Sequence, residues 1–104
     1  MDAFYALAEP RRRKIIEILA RNGELPATQI YSKFDITAQA VSQHLKVLLD
    51  CGFLKMEKRS QQHIYQINPA SMLEIEKWLT HTKGLWTKRL DNLDKFLETE
   101  KKKK

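Results

Sequence analysis

Apolar positions recur at three- and four-residue spacing along most of the chain, the mark of helices with one buried face, and a single stretch breaks that rhythm. Residues 2–8 read as a short helix with Phe4, Leu7 and Tyr5 on one side. Pro10 suits a first helical position, so residues 11–21 form a second helix with Ile15, Ile16 and Leu19 at core spacing, and Asn22 and Gly23 stop it. Pro26 opens a third, short helix to about Phe34, with Ile30, Tyr31 and Phe34 facing inward. Asp35 and Ile36 make a turn, Thr37 is placed to cap the next helix, and Gly52 closes it in the left-handed conformation. The rhythm breaks at residues 53–57 and 64–68, which read as two strands separated by Lys58, Arg59, Ser60, Gln61, Gln62 and His63.

Pro69 and Ser71 start a final helical region reaching about Glu100. Met72, Ile75, Leu79, Trp86, Leu90, Leu93 and Leu97 keep the three-four alternation there, with Thr82 filling the one gap, and Gly84 is expected to kink or divide the helix. A stripe of this length exceeds what so small a domain can bury internally, which points to a second chain. The predicted class is mainly α with a small β-hairpin, dimeric, with a long C-terminal helical region.

Composition narrows this picture only a little. The length of 104 residues suits one domain, assigned to residues 1–100, followed by a lysine tail at 101–104. The formal charge of +6 invites a polyanion partner, yet Lys101 to Lys104 supply four of those charges and leave +2 for the rest. No apolar run approaches the roughly 18 residues of a membrane span, and the N-terminus reaches Glu9 and Pro10 without a secretory core. Cys51 is the single cysteine and has no internal partner, so a reducing cytoplasm is the expected compartment.

The segment ITAQAVSQHLKVLLDCGFL, residues 36–54, carries the most specific chemistry. On a helical wheel Val41, Leu45, Leu48 and Leu49 share one face, while Gln39, Gln43, Lys46 and Asp50 lie opposite, flanked by Ser42. The outward positions near the helix start carry amides and a hydroxyl in place of the Glu and Lys pairs common on solvated helices. Glutamine can make two hydrogen bonds to an adenine edge and serine can reach bases or phosphates, so this surface suits a major groove. A short helix, a tight turn, a polar-tipped helix and a hairpin follow one another in the order of a winged helix-turn-helix.

The segments FYALAEPRRRKIIEIL, ITAQAVSQHLKVLLDCGFL, HIYQINP and WTKRLDNLDKFLE resemble, in order and spacing, the ArsR-type winged-helix repressors. The closing Trp-x-x-Arg-Leu-Asp pattern is similar to a subgroup without metal sites. The resemblance implies a homodimer, held by its first and last helices, that binds a palindromic operator in double-stranded DNA and blocks transcription. Phe4, Leu7, Leu79, Trp86, Leu90, Leu93 and Leu97 are the residues expected at that dimer interface. Gln39, Ser42 and Gln43 are expected to read bases, with Lys46 on a phosphate or a guanine and Thr37 and Ala38 offering backbone amides at the helix start. In the wing, Lys55, Lys58 and Arg59 are expected along the phosphates or the minor groove, and Gln61, Gln62 and His63 stand where related wings carry arginines, which implies a shallower salt dependence. Arg11 belongs to the same contact set. Of Arg11, Arg12 and Arg13, one is expected to pair with an acid such as Glu9 or Glu17, and Glu9 replaces the family's aspartate as a weaker cap.

The metal-sensing members place paired cysteines in the segment that here reads GELPATQI, where Pro26 and Thr28 offer no thiolate, and His81 stands without further ligands among Lys83, Lys88 and Arg89. No metal and no cofactor are expected; His44 is assigned to packing or a phosphate, and Cys51 to a small buried site. Trp78, Trp86 and Phe96 fit core and dimer packing better than a ligand pocket. Control then falls to the protein's own level or to a regulatory protein. An enzyme is disfavoured, since no phosphate-cradling loop or catalytic pair is spaced in the chain. RNA is disfavoured because its major groove is too narrow for the helix. The competing function is a winged helix whose polar helix contacts a protein, but such domains usually lose the bidentate readers and basic wing retained here.

Overall fold

The computed structural model describes the backbone of residues 2–102 and the side chains of residues 2–95 and 97. Its elements run α1 (Ala3–Leu7), α2 (Pro10–Asn22), β1 (Glu24–Pro26), α3 (Ala27–Tyr31), α4 (Ala38–Asp50), β2 (Leu54–Arg59), β3 (Gln62–Ile67) and α5 (Pro69–Lys102). The chain divides between Glu74 and Ile75 into two units. The first is a winged helix-turn-helix; the second is the continuation of α5.

In the first unit the largest fully buried side chains are Ile15 and Leu19 of α2, Ile30 of α3, Val41, Leu45 and Leu48 of α4, and Phe53 ahead of the wing, with Ala3 and Ala6 of α1 also buried. Three helices thus close over one small core, with Phe53 sealing the side from which the sheet departs. Helices α1, α2 and α4 begin where a side chain satisfies otherwise unpaired amides, whereas α3 starts at Pro26 without a side-chain cap. The Asp2 carboxylate accepts from Tyr5 N–H at 2.9 Å, and Thr37 Oγ1 accepts from Ala40 N–H at 3.1 Å. Glu9, expected to be a weaker cap than aspartate, accepts from both Arg11 N–H (2.8 Å) and Arg12 N–H (3.1 Å), with Pro10 as the first helical residue. Gly52 takes φ 74°, the conformation that lets α4 stop and Phe53 turn into the core.

The sheet differs from the expected hairpin in two ways. It has three antiparallel strands in the order β1-β3-β2, because Glu24–Pro26 pairs with β3, setting Leu25 opposite Tyr65 and Pro26 opposite Ile64. The hairpin is also tighter: Lys58 pairs with His63 and Arg59 with Gln62, leaving Ser60 and Gln61 as the turn, with Ser60 at φ 56°. The third helix is shorter than expected, ending at Tyr31, and Phe34 is half-buried in the following turn.

Arg12 and Arg13 depart from the expected pairing with an acid. Arg12 is buried, its Nε donating to the Ala6 carbonyl at 2.9 Å and its Nη2 to that of Tyr5 at 3.1 Å, with the guanidinium 5.3 Å from the Tyr5 ring centre. Arg13 Nη1 donates to the Leu7 carbonyl at 2.6 Å. At the end of α1 the Tyr5 carbonyl also accepts from Ala8 N–H at 3.2 Å, and the two guanidinium groups add donors to it and to the carbonyls of Ala6 and Leu7. On the other side of the core Ser71 Oγ, buried at the start of α5, donates to the Gly52 carbonyl at 2.7 Å.

The second unit is one helix. Gly84 neither divides nor ends it: α5 is continuous from Pro69 to Lys102, about 50 Å at helical rise. A glycine costs only about 1 kcal/mol relative to alanine in a helix interior, too little to break hydrogen bonding propagated from both sides. Leu79, Leu85, Trp86, Leu90, Leu93 and Leu97 on this segment are each between 41% and 59% exposed. The Phe96 side chain and the lysine-tail side chains lie outside the described residues.

Candidate nucleic-acid interface

Burial of Val41, Leu45 and Leu48 fixes which way α4 presents the rest of its surface. Gln39, Ser42, Gln43 and Lys46 follow one another at three- and four-residue spacing on the side away from the core, and all four are exposed. Thr37 and Ala38, also exposed, stand at the open N-terminal end of the same helix. The structure therefore gathers six of the expected contact residues onto one surface. Asp50, at the far end of α4, adds the only carboxylate on that helix.

His44 lies off this row, half-buried against α2, with Nδ1 3.7 Å from the Glu9 carboxylate. It joins α4 to the cap of α2, a packing contact and the first of the two roles expected for it, packing or a phosphate.

The wing does not assemble as expected. Strand alternation puts Lys55, Glu57 and Arg59 on one face and Met56 and Lys58 on the other, so Lys55 and Lys58 point to opposite sides. Arg59 is bound to acids: Nη1 and Nη2 donate to the two oxygens of Glu24 at 2.6 and 2.8 Å, and Nη2 also to Glu57 at 3.0 Å. These contacts hold the Glu24 carboxyl below its usual range and raise the Arg59 guanidinium further, so its charge is balanced within the protein. Since Glu24 faces Gln66 and Arg59 faces Gln62, the pair straps the three strands diagonally. Lys58 and Gln61 remain exposed at the wing tip.

Comparison with known proteins places this geometry. Residues 9–55 match the model of the HTH_5 family, bacterial regulatory protein, arsR family. The HTH-type transcriptional regulator Rv2034 of Mycobacterium tuberculosis is 30% identical over 98 residues, covering 94% of this chain and 88% of that protein. The chain belongs to the ArsR family of transcriptional regulators. The transcriptional repressor SdpR of Bacillus subtilis is 27% identical over 78 residues, covering 75% of this chain and 86% of the repressor. The crystal structure of the ArsR family transcriptional regulator RHA00566 superposes with a TM-score of 0.74 at 27% identity, covering 82% of this chain and 87% of that one.

As an ArsR-family chain it carries Pro26 at the end of β1 and Thr28 in α3, neither of which supplies a thiolate. Among the described residues, no group of three or more His, Cys, Asp or Glu side chains is placed to hold a metal ion. Cys51 is buried at the end of α4, where desolvation pushes its thiol pKa up. No described helix is long and apolar enough to cross a membrane.

Two working parts of the site were not legible beforehand. The Glu24 to Arg59 strap joins residues 35 apart in sequence, with no local signal to announce it. The division of the arginine run into Arg11, and Arg12 and Arg13 bonded to the α1 carbonyls, depends on where α1 ends, although helical spacing already sets Arg12 beside Ile15, Ile16 and Leu19 on the core side.

Proposed function

We propose that the chain is a homodimeric repressor that binds an inverted-repeat operator in duplex DNA, with the outward row of α4 in the major groove. The observation that carries this is the exposed run Gln39, Ser42, Gln43 and Lys46 on a helix whose opposite side is fully buried. Side chains anchored in this way lose little further freedom on binding, and glutamine and lysine at that spacing match base edges. Lys58 and Gln61 at the wing tip meet the flanking backbone, and Lys55 and Arg11 approach the strand from other sides. Arg59 is withdrawn from the contact set and given the task of holding the wing.

The dimer is supported by the exposed leucines and Trp86 of α5, with Phe4, 39% exposed, and Leu7, half-buried, on α1. An apolar stripe of this length is stabilised by packing against its own copy, and a two-fold axis presents two α4 helices to two half-sites of opposite direction. A cytoplasmic setting follows, and control falls to protein abundance or to a regulatory protein.

Selection from random duplex DNA with the purified protein tests the proposal. A palindromic sequence with two half-sites is the expected outcome. Binding of no duplex above background would overturn it and leave a protein-contacting winged helix.

A further inference from the structure

We infer that the operator's phosphate backbone has a third seat besides α4 and the wing: the cleft between the start of α2 and the turn that follows α3, where Arg11, Lys14 and Lys33 converge. The inference rests on the proposed DNA binding and extends it to a surface that neither the readout helix nor the wing supplies. The cleft has a volume of about 290 Å³ and is lined by Pro10, Arg11, Lys14, Lys33, Phe34, Asp35 and Ile36.

Its charge is available. Arg11, Lys14 and Lys33 are exposed, and among the described residues none of them is in an ion pair. Arg59 in the wing is the opposite case, with its charge balanced by Glu24 and Glu57. The arginine-lysine run at the start of α2 is sorted by the fold. Arg12 and Arg13 turn back to the α1 carbonyls, while Arg11 and Lys14, one helical turn apart, face the cleft together. Lys14 is also placed: its ammonium lies 5.2 Å from the centre of the Phe34 ring, a cation–π contact that holds it on the lip of the cleft. Asp35 is the one carboxylate in the lining and opposes an incoming phosphate.

Position points to DNA as the occupant. Asp35 and Ile36 of the cleft wall immediately precede Thr37, the cap of α4, so the cleft adjoins the end of α4 that carries Gln39, Ser42 and Gln43. A helix lying in a major groove about 12 Å wide has a phosphate strand on either side, and one of them passes this edge. Contacts there carry no sequence information themselves and set the register in which the glutamines meet the bases.

The test measures affinity against salt concentration for the full chain, with a mixed-sequence duplex and with the selected duplex. Lys14→Gln with Lys33→Gln should lower the salt slope by about two on both duplexes, so that the affinity lost between 50 and 200 mM salt shrinks by about 12-fold. Lys14→Arg with Lys33→Arg should retain the wild-type slope. Asp35→Asn should tighten binding at low salt. Lys77→Gln with Lys88→Gln, which removes the same charge from the face of α5 opposite its apolar stripe, should leave the slope unchanged. An unchanged slope in the cleft variant, or an equal fall in the α5 variant, overturns the inference while DNA binding stands. Wild-type protein that binds neither duplex overturns both.

Discussion

Replacing Arg12 by methionine separates two residues that look alike in the sequence. Arg12 is 8% exposed and donates to two carbonyls at the end of α1, while Arg13 is exposed and donates to one. Net contributions of hydrogen bonds from charged donors run about 1.5–3 kcal/mol each, and a partly desolvated cation–π contact adds about 0.5–1. Against these stands the cost of burying the guanidinium, several kcal/mol before pairing, which methionine does not incur. The Arg12→Met variant is therefore expected to lose about 2–4 kcal/mol, or roughly 10–20 °C in Tm for a domain of this size. Arg13→Met, with a single exposed bond, should lose under about 1 kcal/mol. Arg12→Lys should fall between, because a point-like ammonium cannot span both carbonyls. Thermal unfolding followed by circular dichroism at one fixed protein concentration measures all three, so that the variants are compared at the same concentration of any associating species. Equal losses for Arg12→Met and Arg13→Met, within about 0.5 kcal/mol, would refute the assignment of Arg12 as the clamp on α1.

Thr37→Ala removes the acceptor for Ala40 N–H and should cost about 1 kcal/mol in chemical denaturation, with Thr37→Ser close to wild type. Burial raises the Cys51 pKa, so at pH 8 a thiol reagent should label the folded protein more slowly than the protein in denaturant, and equal labelling rates would contradict that burial. Because the unfolded thiol ionises first, the same shift contributes stability below the unfolded pKa that is lost as pH rises through the folded one. If the proposed dimer packs through α5, the wild type should sediment as a dimer at micromolar concentration and Leu90→Glu with Leu93→Glu as a monomer, while the helical signal of the first unit remains.

What was legible from the sequence was what local chemistry dictates. The stripe of Val41, Leu45 and Leu48, the Thr37 cap and the positive φ at Gly52 follow from residues within a few positions of one another, and all are present as expected. The wing boundaries were less accessible, because Lys58, Arg59, Gln62 and His63 are polar on both faces and show no alternation for a strand to announce. β1 was missed because it is three residues long, ends in proline, and exists only through pairing with residues 64–66. α5 is not divided at Gly84, because hydrogen bonding propagated from both sides outweighs the local cost that a single glycine announces in the sequence. In the site, the row on α4 was visible as a pattern of side chains on one helix. The balanced charge of Arg59 was not, since a formal count treats a strapped guanidinium and a free one alike.

The central claim, that α4 reads bases through Gln39, Ser42 and Gln43, is tested most directly by measuring Gln43→Ala against every single base-pair variant of the selected operator. Each lost bidentate contact should cost roughly 1–3 kcal/mol, and the preference should relax at one base pair in each half-site, placed symmetrically, with the others unchanged. A uniform weakening at all positions, or an unchanged profile, would contradict the claim and place α4 outside the groove.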